Sequence, residues 1–176
     1  ELIRASWGEM KDSAGNPVTN VFTGNSRLAI LDGVWKWAPD GNASSTSLTL
    51  QGEYFRRLES GTLVYDGGGQ ALADSFRAAQ SGWYAQAVYK FLPAWRVGLR
   101  YDRLSLGNVD AASNTANLDL PSYAPNRTTL MFDWSPSEYS RVRLQLAQDR
   151  ARYGLTDNQV MIQYQMSLGT HGAHGF

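Results

Sequence analysis

The sequence predicts an all-β protein, an antiparallel transmembrane β-barrel of about eight strands, complete or part of a larger barrel. Three observations predict it: apolar and polar residues alternate with a period of two, connections alternate between short and long, and aromatic residues lie beside the short ones. In the last segment, Val160, Ile162 and Tyr164 share one face, while Gln163 and Gln165 lie on the other. Successive side chains of a strand point to opposite faces, so such a strand separates an apolar phase from a wetter one.

Length and hydropathy fit this class. The 176 residues suit one domain of about eight strands of roughly 10 residues plus loops, so we treat residues 1–176 as a single barrel domain or a C-terminal barrel segment. Mean hydropathy is -0.38, and no apolar run approaches the roughly 20 residues of a spanning helix. The lack of a signal peptide at Glu1 predicts a mature protein or a fragment, and we favour a fragment.

Charge and cysteine content exclude several function classes. The 16 basic and 16 acidic residues give a net charge of +0, which leaves no electrostatic footprint for nucleic acid. The chain has 0 cysteines, which removes disulfides, thiolate chemistry and cysteine metal sites. We therefore expect no nucleic-acid partner.

Alternation and turn-forming residues place the elements in order. Strands are predicted near 1–9, 26–37, 45–58, 81–92, 95–105, 127–134, 139–151 and 158–169. The short connections are Ala38–Asn42, Pro93–Ala94 and Ser135–Ser137, and the long ones are 10–25, 66–80 and 106–126, with a helical turn or two expected at Ala71–Gln80. Thr156–Asn158 is a short connection on the long-loop side. Bacterial barrels have tight periplasmic turns and longer outer loops.

Parity assigns the two faces of the strands. The apolar, outward positions are Leu48, Leu50, Tyr54, Trp83, Ala85, Ala87, Tyr89, Phe91, Trp95, Val97, Leu99, Tyr101, Leu130, Phe132, Trp134, Val142, Leu144 and Leu146. The predicted lumen-lining positions are Gln51, Glu53, Gln86, Lys90, Arg96, Arg100, Asp102, Asp133, Arg141, Arg143, Gln145 and Asp149. Charges of both signs share the inner face, so we expect a salt-bridged interior rather than a strongly ion-selective one.

A ring of aromatic residues is the second, independent signal. It comprises Trp37, Phe91, Trp95, Trp134 and Tyr139, which all lie beside short turns. Amphipathic aromatic rings favour the membrane interface, where the ring is in an apolar layer and its N–H or O–H reaches water. The alternative is a soluble β-sandwich with these aromatics in its core. A sandwich gives no reason for long loops on alternate connections.

Little in the chain points to catalysis. Asp66–Gly69 lacks the lysine of a phosphate-binding loop. Asp102 and Asp133 share a face with arginines, which favours an ion network over an acid–base pair. A serine hydrolase needs a histidine, and the only 2 histidines lie in the tail. We expect no enzyme activity.

The tail carries the one candidate for metal chemistry. His171 and His174 are three residues apart and could supply half of a zinc shell, but no third ligand is identifiable nearby. The alternative is that the tail only closes the barrel. We therefore expect no cofactor, with zinc as the one candidate metal.

Five segments together resemble a known family. They are Trp35–Asn42, Leu50–Arg57, Val97–Leu104, Asp133–Arg141 and Ser167–His174. In this order they resemble bacterial zinc-regulated TonB-dependent outer-membrane receptors, over most of the chain from about residue 26 onward. Members look considerably longer, so the chain resembles their C-terminal part. The plug and TonB-contact segment of an energised receptor are not visible here.

The resemblance implies a location and a set of partners. The location is the outer membrane of a Gram-negative bacterium, with expression when zinc is scarce. The partners are the lipid bilayer with lipopolysaccharide, a small solute or metal ion, and the barrel-assembly machinery, which would read the terminal Phe176.

The expected function is porin-like transport or binding of a small solute, linked to metal acquisition. Pore size depends on strand number, because eight strands leave an interior just filled by side chains and sixteen leave a channel. The alternatives are a small closed barrel that binds or adheres through its outer loops, and the soluble sandwich.

Overall fold

A computed structural model describes residues 2–11, 17–39, 41–66, 71–118, 120 and 122–167. Its elements in chain order are β1 (Leu2–Lys11), β2 (Pro17–Trp37), β3 (Ser47–Asp66), β4 (Leu72–Leu92), β5 (Trp95–Leu104), β6 (Asn108–Asp110), a 3-10 helix (Ala112–Asn117), β7 (Asn126–Ser137), β8 (Ser140–Arg150) and β9 (Asp157–Met166). The all-β class predicted from alternation is confirmed.

The strands form one sheet. Its order is β1-β2-β3-β4-β5-β7-β8-β9, and β6 pairs with β4. Apart from β6, strands that are neighbours in this order are also neighbours along the chain. This arrangement is an antiparallel meander, which short and medium connections favour. Within the described residues, the pairing runs from β1 to β9 and does not close these two ends onto each other.

Three strands are longer than predicted. β2 and β4 each have 21 residues and β3 has 20, because 17–25 and 72–80 belong to β2 and β4 rather than to loops and β3 continues to Asp66. The helical turn expected at Ala71–Gln80 is wrong, since this segment pairs with β6 through Arg77↔Asp110 and Ala79↔Asn108. Ladder hydrogen bonds satisfy the backbone whatever the side chain, so polar composition does not by itself end a strand.

The short turns are partly as predicted. Pro93–Ala94 is a two-residue turn between β4 and β5. The turn predicted at Ser135–Ser137 is wrong, because the hairpin turns at Glu138-Tyr139 between paired Ser137 and Ser140. The register shifts between Trp134 and Ser137, and such an irregularity tolerates a proline, which has no N–H for the ladder.

The two other short connections, β2–β3 and β8–β9, differ from their predicted bounds. The β2–β3 connection contains the predicted Ala38–Asn42, where Gly41 N donates to Ala38 O at 3.2 Å and adopts φ +69°. Glycine takes this left-handed conformation without steric cost. The connection before β9 is longer than Thr156–Asn158, because β8 ends at Arg150 and β9 begins at Asp157.

The chain divides into two compact units, each described by itself. The first contains Glu1–Asp32, Glu53–Trp83 and Arg103–Pro125, and the second contains Gly33–Gly52, Tyr84–Asp102 and Asn126–Phe176. Within the described residues of the first unit, the buried core is Phe22, Leu63, Phe76, Ala111 and Leu118. Phe22 and Phe76 lie 5.2 Å apart between ring centroids. This core was not predicted from the sequence, because Phe22 and Phe76 lie in segments that were predicted as the loops 10–25 and 66–80.

Hydrogen bonds fix the 3-10 helix in the first unit. The Ser113 hydroxyl donates to Asp74 Oδ2 at 2.5 Å, and the Ser113 backbone N–H donates to the same atom at 3.2 Å. Asn114 Nδ2 donates to Leu72 O at 3.0 Å. The predicted loop 106–126 therefore contains a 3-10 helix, Ala112–Asn117, that hydrogen bonds hold against the start of β4.

Candidate functional site

The second unit separates its side chains by parity. β7 and β8 pair with Asp133 opposite Arg143 and Phe132 opposite Leu144, so charged residues meet charged ones and apolar residues meet apolar ones. Side chains opposite each other in an antiparallel pair lie on the same face. We call the side carrying Asp133 and Arg143 the polar face and the other the apolar face.

Many large side chains on the apolar face are not covered by other parts of the described chain. Its large side chains are exposed by two-fifths or more in many positions, including Leu99 at 54%, Val160 at 71% and Ile162 at 75%. Apolar side chains exposed over several neighbouring strands form the kind of patch that monomeric soluble proteins avoid. The predicted outward parity therefore agrees with where the structure leaves apolar side chains uncovered.

The predicted aromatic ring falls in the second unit. All five members, Trp37, Phe91, Trp95, Trp134 and Tyr139, are partly exposed large hydrophobic residues. Trp95 and Trp134 stack with centroids 6.0 Å apart, and Ser135 N donates to Ala94 O at 2.8 Å beside them. This hydrogen bond joins the Pro93–Ala94 turn, which precedes β5, to β7.

The most buried charge on the polar face is Asp133, with 1% of its surface exposed. Arg143 Nε donates to its Oδ1 at 2.6 Å and Arg143 Nη2 to its Oδ2 at 2.8 Å. Arg141 Nη1 lies 4.0 Å from the same carboxylate. A bidentate guanidinium pairing is the strong form of ion pair, and it makes Asp133 part of an ion network.

Two further ion pairs lie on the polar face. Arg100 Nη2 lies 2.6 Å from Asp102 Oδ1, and its guanidinium covers the Tyr84 ring at 3.8 Å from the centroid. Arg127 Nη1 lies 3.7 Å from Asp149 Oδ2. Asp102 and Asp133 thus each bind an arginine, which is the ion network that their shared face with arginines predicted.

Amide side chains complete the network. Gln51 was predicted to line the lumen, and Gln165 was predicted to lie on the polar side of the last strand. Gln165 accepts from Arg141 Nη2 at 2.5 Å, Gln159 accepts from Arg127 Nη2 at 3.0 Å, and Gln51 Nε2 donates to Tyr84 Oη at 3.0 Å. Gln159 was not among the predicted residues, although its parity in β9 matches that of the charged residues in β8 and could have placed it on the polar face.

Two cavities open on the polar face of the second unit. One, of about 220 Å³, is lined by residues that include Arg96, Arg100, Asp133, Arg143, Gln86 and Gln145. The other, of about 400 Å³, lies at the turn between β7 and β8 and includes Arg96, Arg141, Glu138 and Gln165. Arg96 lines both. Six of the predicted lumen-lining residues thus meet in the first cavity.

The remaining predicted residues lie elsewhere. Lys90, Asp102 and Asp149 are half-buried residues of the second unit that do not line these two cavities. Glu53 belongs to the first unit. His171, His174 and Phe176 lie outside the described residues. No group of three metal-ligating His, Cys, Asp or Glu side chains occurs in the part of the chain that the structure describes.

Searches against known proteins give one distant relative. The chain is 32% identical over 161 residues to an uncharacterized protein of Aquifex aeolicus (strain VF5), a match covering 89% of this chain and 32% of that protein. The chain thus spans about a third of the length of the curated relative it matches. No family model matches, and no solved structure matches. No helix among the described residues has the length and apolar character to cross a membrane.

Proposed function

We propose that this chain is a β-barrel, or part of one, in a bacterial outer membrane, and that its polar face passes or binds a small solute. The observation that carries the proposal is the contrast between the two parities of the same strands. Leu99 is 54% exposed, whereas Asp133 on the polar face is 1% exposed and held by Arg143. A lipid-facing strand surface with a water-facing or salt-bridged interior has this arrangement.

The aromatic residues support the same proposal. Trp95 and Trp134 lie at the Pro93–Ala94 end of their strands, and in an outer-membrane barrel the tight turns lie at the periplasmic interface. Indole rings favour that depth because the ring is apolar and its N–H reaches water. A soluble sandwich would instead cover these rings within its core.

The proposal is tested by refolding the whole chain into vesicles containing brominated lipids and measuring tryptophan fluorescence. Bromine quenches tryptophan on contact, so we expect strong quenching and protection of the strands from trypsin. A chain that stays monodisperse without detergent, with unquenched fluorescence, would refute the proposal and favour the sandwich.

A second candidate function is binding through the outer connections. It is favoured by the order of the Ala112–Asn117 helix, which Asp74 and Leu72 hold by hydrogen bonds. Planar bilayers separate the two. An open lumen gives ion conductance, whereas a closed barrel gives none and loses its ligand when 112–117 are replaced by a short Gly-Ser linker.

Membership of the zinc-regulated TonB-dependent receptor-like proteins stays a prediction, supported by the order of the five segments that resemble them. Zinc binding by the tail is its most direct test. Calorimetry should show zinc binding that is lost when both His171 and His174 are replaced by alanine. Unchanged zinc affinity in that variant would end the idea.

A further inference from the structure

We infer that the polar face of the second unit holds a binding site for a small dissolved oxyanion, a carboxylate or phosphate, centred on Arg96. The inference deepens the proposed function, on which it rests for the placement of this face away from lipid. It departs from the charge balance expected from sequence, because the cavities themselves are not balanced.

Positive charge predominates around both cavities. Arg96, Arg100 and Arg143 line the smaller one, and Asp133 is the carboxylate lining it. Arg96 and Arg141 line the larger one, where Glu138 is the carboxylate. A cleft lined mainly by one sign of charge raises the local concentration of the opposite ion.

Among the described residues, no carboxylate forms an ion pair with Arg96, and this includes Glu138, which lines the same larger cavity. Asp133 is bound by Arg143 and approached by Arg141, and Asp102 is bound by Arg100. No hydrogen bond or ion pair among the described residues involves the Arg96 side chain. Its donors are therefore available in the two cavities that it lines.

Neutral donors accompany the guanidinium. The larger cavity is lined by Ser135, Ser137, Ser140 and Ser167 beside Arg96. The Ser137 and Ser140 hydroxyls share one hydrogen bond at 2.8 Å, so one of these two donors is already used. Hydroxyl groups donate to oxyanions, and Arg matches the geometry of carboxylate and phosphate oxygens with two parallel N–H donors. With about 400 Å³, the larger cavity accommodates such an anion and several waters, each of which takes about 30 Å³ in the liquid.

In the test, inorganic phosphate is titrated into the whole chain folded in dodecyl maltoside micelles, and binding is measured by calorimetry. We expect saturable binding, weakened at least about tenfold in Arg96→Gln because a charged hydrogen-bond partner is lost. Arg96→Lys should retain part of the affinity. The matched control is Arg152→Gln, an exposed arginine in the connection between β8 and β9, and it should bind as the unaltered chain does.

A second measurement keeps the test independent of how Arg96→Gln folds. On the unaltered chain, sulfate should displace phosphate and glucose should not. Absence of saturable phosphate binding, displacement by glucose, or equal losses in Arg96→Gln and Arg152→Gln would overturn the inference. So would a short-chain phosphatidic acid that binds more tightly than phosphate, since this would make the ligand a lipid.

The two proposals fail separately. A chain that enters vesicles but binds no phosphate keeps the membrane assignment and loses the anion site. A chain that binds phosphate through Arg96 but is not quenched by brominated lipid keeps the site and loses the membrane assignment.

Discussion

Arg143 faces Asp133 across the β7–β8 pair and binds both of its carboxylate oxygens, at 2.6 and 2.8 Å. Asp133 is 1% exposed, whereas the Arg143 side chain is 24% exposed. The carboxylate therefore depends on its arginine for solvation, while the arginine keeps some contact with its surroundings. This asymmetry decides what each substitution should do.

Removing the carboxylate should be costly. Asp133→Ala leaves Arg143 without its partner, and breaking a buried pair on one side typically costs about 3–5 kcal/mol. The partial exposure of the arginine places the expected loss at the lower end, about 3 kcal/mol in the free energy of unfolding by urea in micelles. The double variant Asp133→Leu with Arg143→Met should lose far less, since no charge is left unpaired. A double variant as unstable as Asp133→Ala would contradict this account.

The pairing of faces was predictable from sequence, whereas the long hairpins were not. Asp133 and Arg143 show alternating parity within their own strands, and that pattern needs no knowledge of neighbours. The strand segments 17–25 and 72–80 are rich in polar residues, and their pairing depends on a partner strand rather than on local preference. The Phe22–Phe76 contact joins residues distant in sequence, so no local pattern revealed it.

The stacked indoles should be coupled. Trp95 and Trp134 lie 6.0 Å apart between centroids, and aromatic pairs contribute about 0.5–1.5 kcal/mol beyond the area they bury. A double-mutant cycle with Trp95→Leu and Trp134→Leu, read by urea unfolding in lipid, should give a coupling energy in that range. The pair Trp37→Leu with Trp134→Leu is the control within the same unit, and its effects should add.

Close approach of β2 and β3 makes Gly24 intolerant of a side chain. A Cβ there would overlap Ser60 O and would lie 2.7 Å from Gly61 Cα, and these backbone atoms have little freedom to move. Gly24→Ala should destabilise the protein by about 1–3 kcal/mol or more, the usual cost of overpacking. Gly33, in the same strand, has nothing within 4 Å of its Cβ position, so Gly33→Ala should be tolerated. Equal denaturation midpoints would refute the close approach.

The docked 3-10 helix should respond to acid. Hydrogen bonds, first from the Ser113 hydroxyl and then from the Ser75 and Ser113 N–H groups, lower the pKa of the Asp74 carboxyl from its ordinary value. Because the pKa is lower in the folded state, the stabilisation is present above the ordinary pKa of an aspartate and is lost as the pH falls through the lower, folded-state pKa. After correction for intrinsic rates, hydrogen exchange of the Ser113 amide should therefore speed up only as the pH falls through the folded-state pKa of Asp74.

Asp74→Asn provides the comparison at neutral pH. Its amide accepts fewer of these hydrogen bonds, so exchange at Ser113 should be faster at pH 7 and should lose its acid dependence. Asp110→Asn is the matched control, since Asp110 accepts from the Ala112 N–H rather than from Ser113. An Asp74→Asn chain with unchanged exchange would show that this carboxylate does not hold the helix.

Charge placed on the two faces should have unequal effects. Leu99 is 54% exposed on the apolar face, and an arginine facing lipid near the bilayer midplane costs about 2–4 kcal/mol. Gln145 lines the smaller cavity of the polar face, where a new guanidinium keeps contact with polar groups. In lipid, urea titration should therefore show a large loss for Leu99→Arg and a small one for Gln145→Arg. Leu144→Arg should match Leu99→Arg, because Leu144 shares the apolar parity of β8. If Leu99 faced water instead of lipid, Leu99→Arg would cost little. Equal losses of stability in lipid for Leu99→Arg and Gln145→Arg, or a larger loss for Gln145→Arg, would therefore overturn the assignment of the faces.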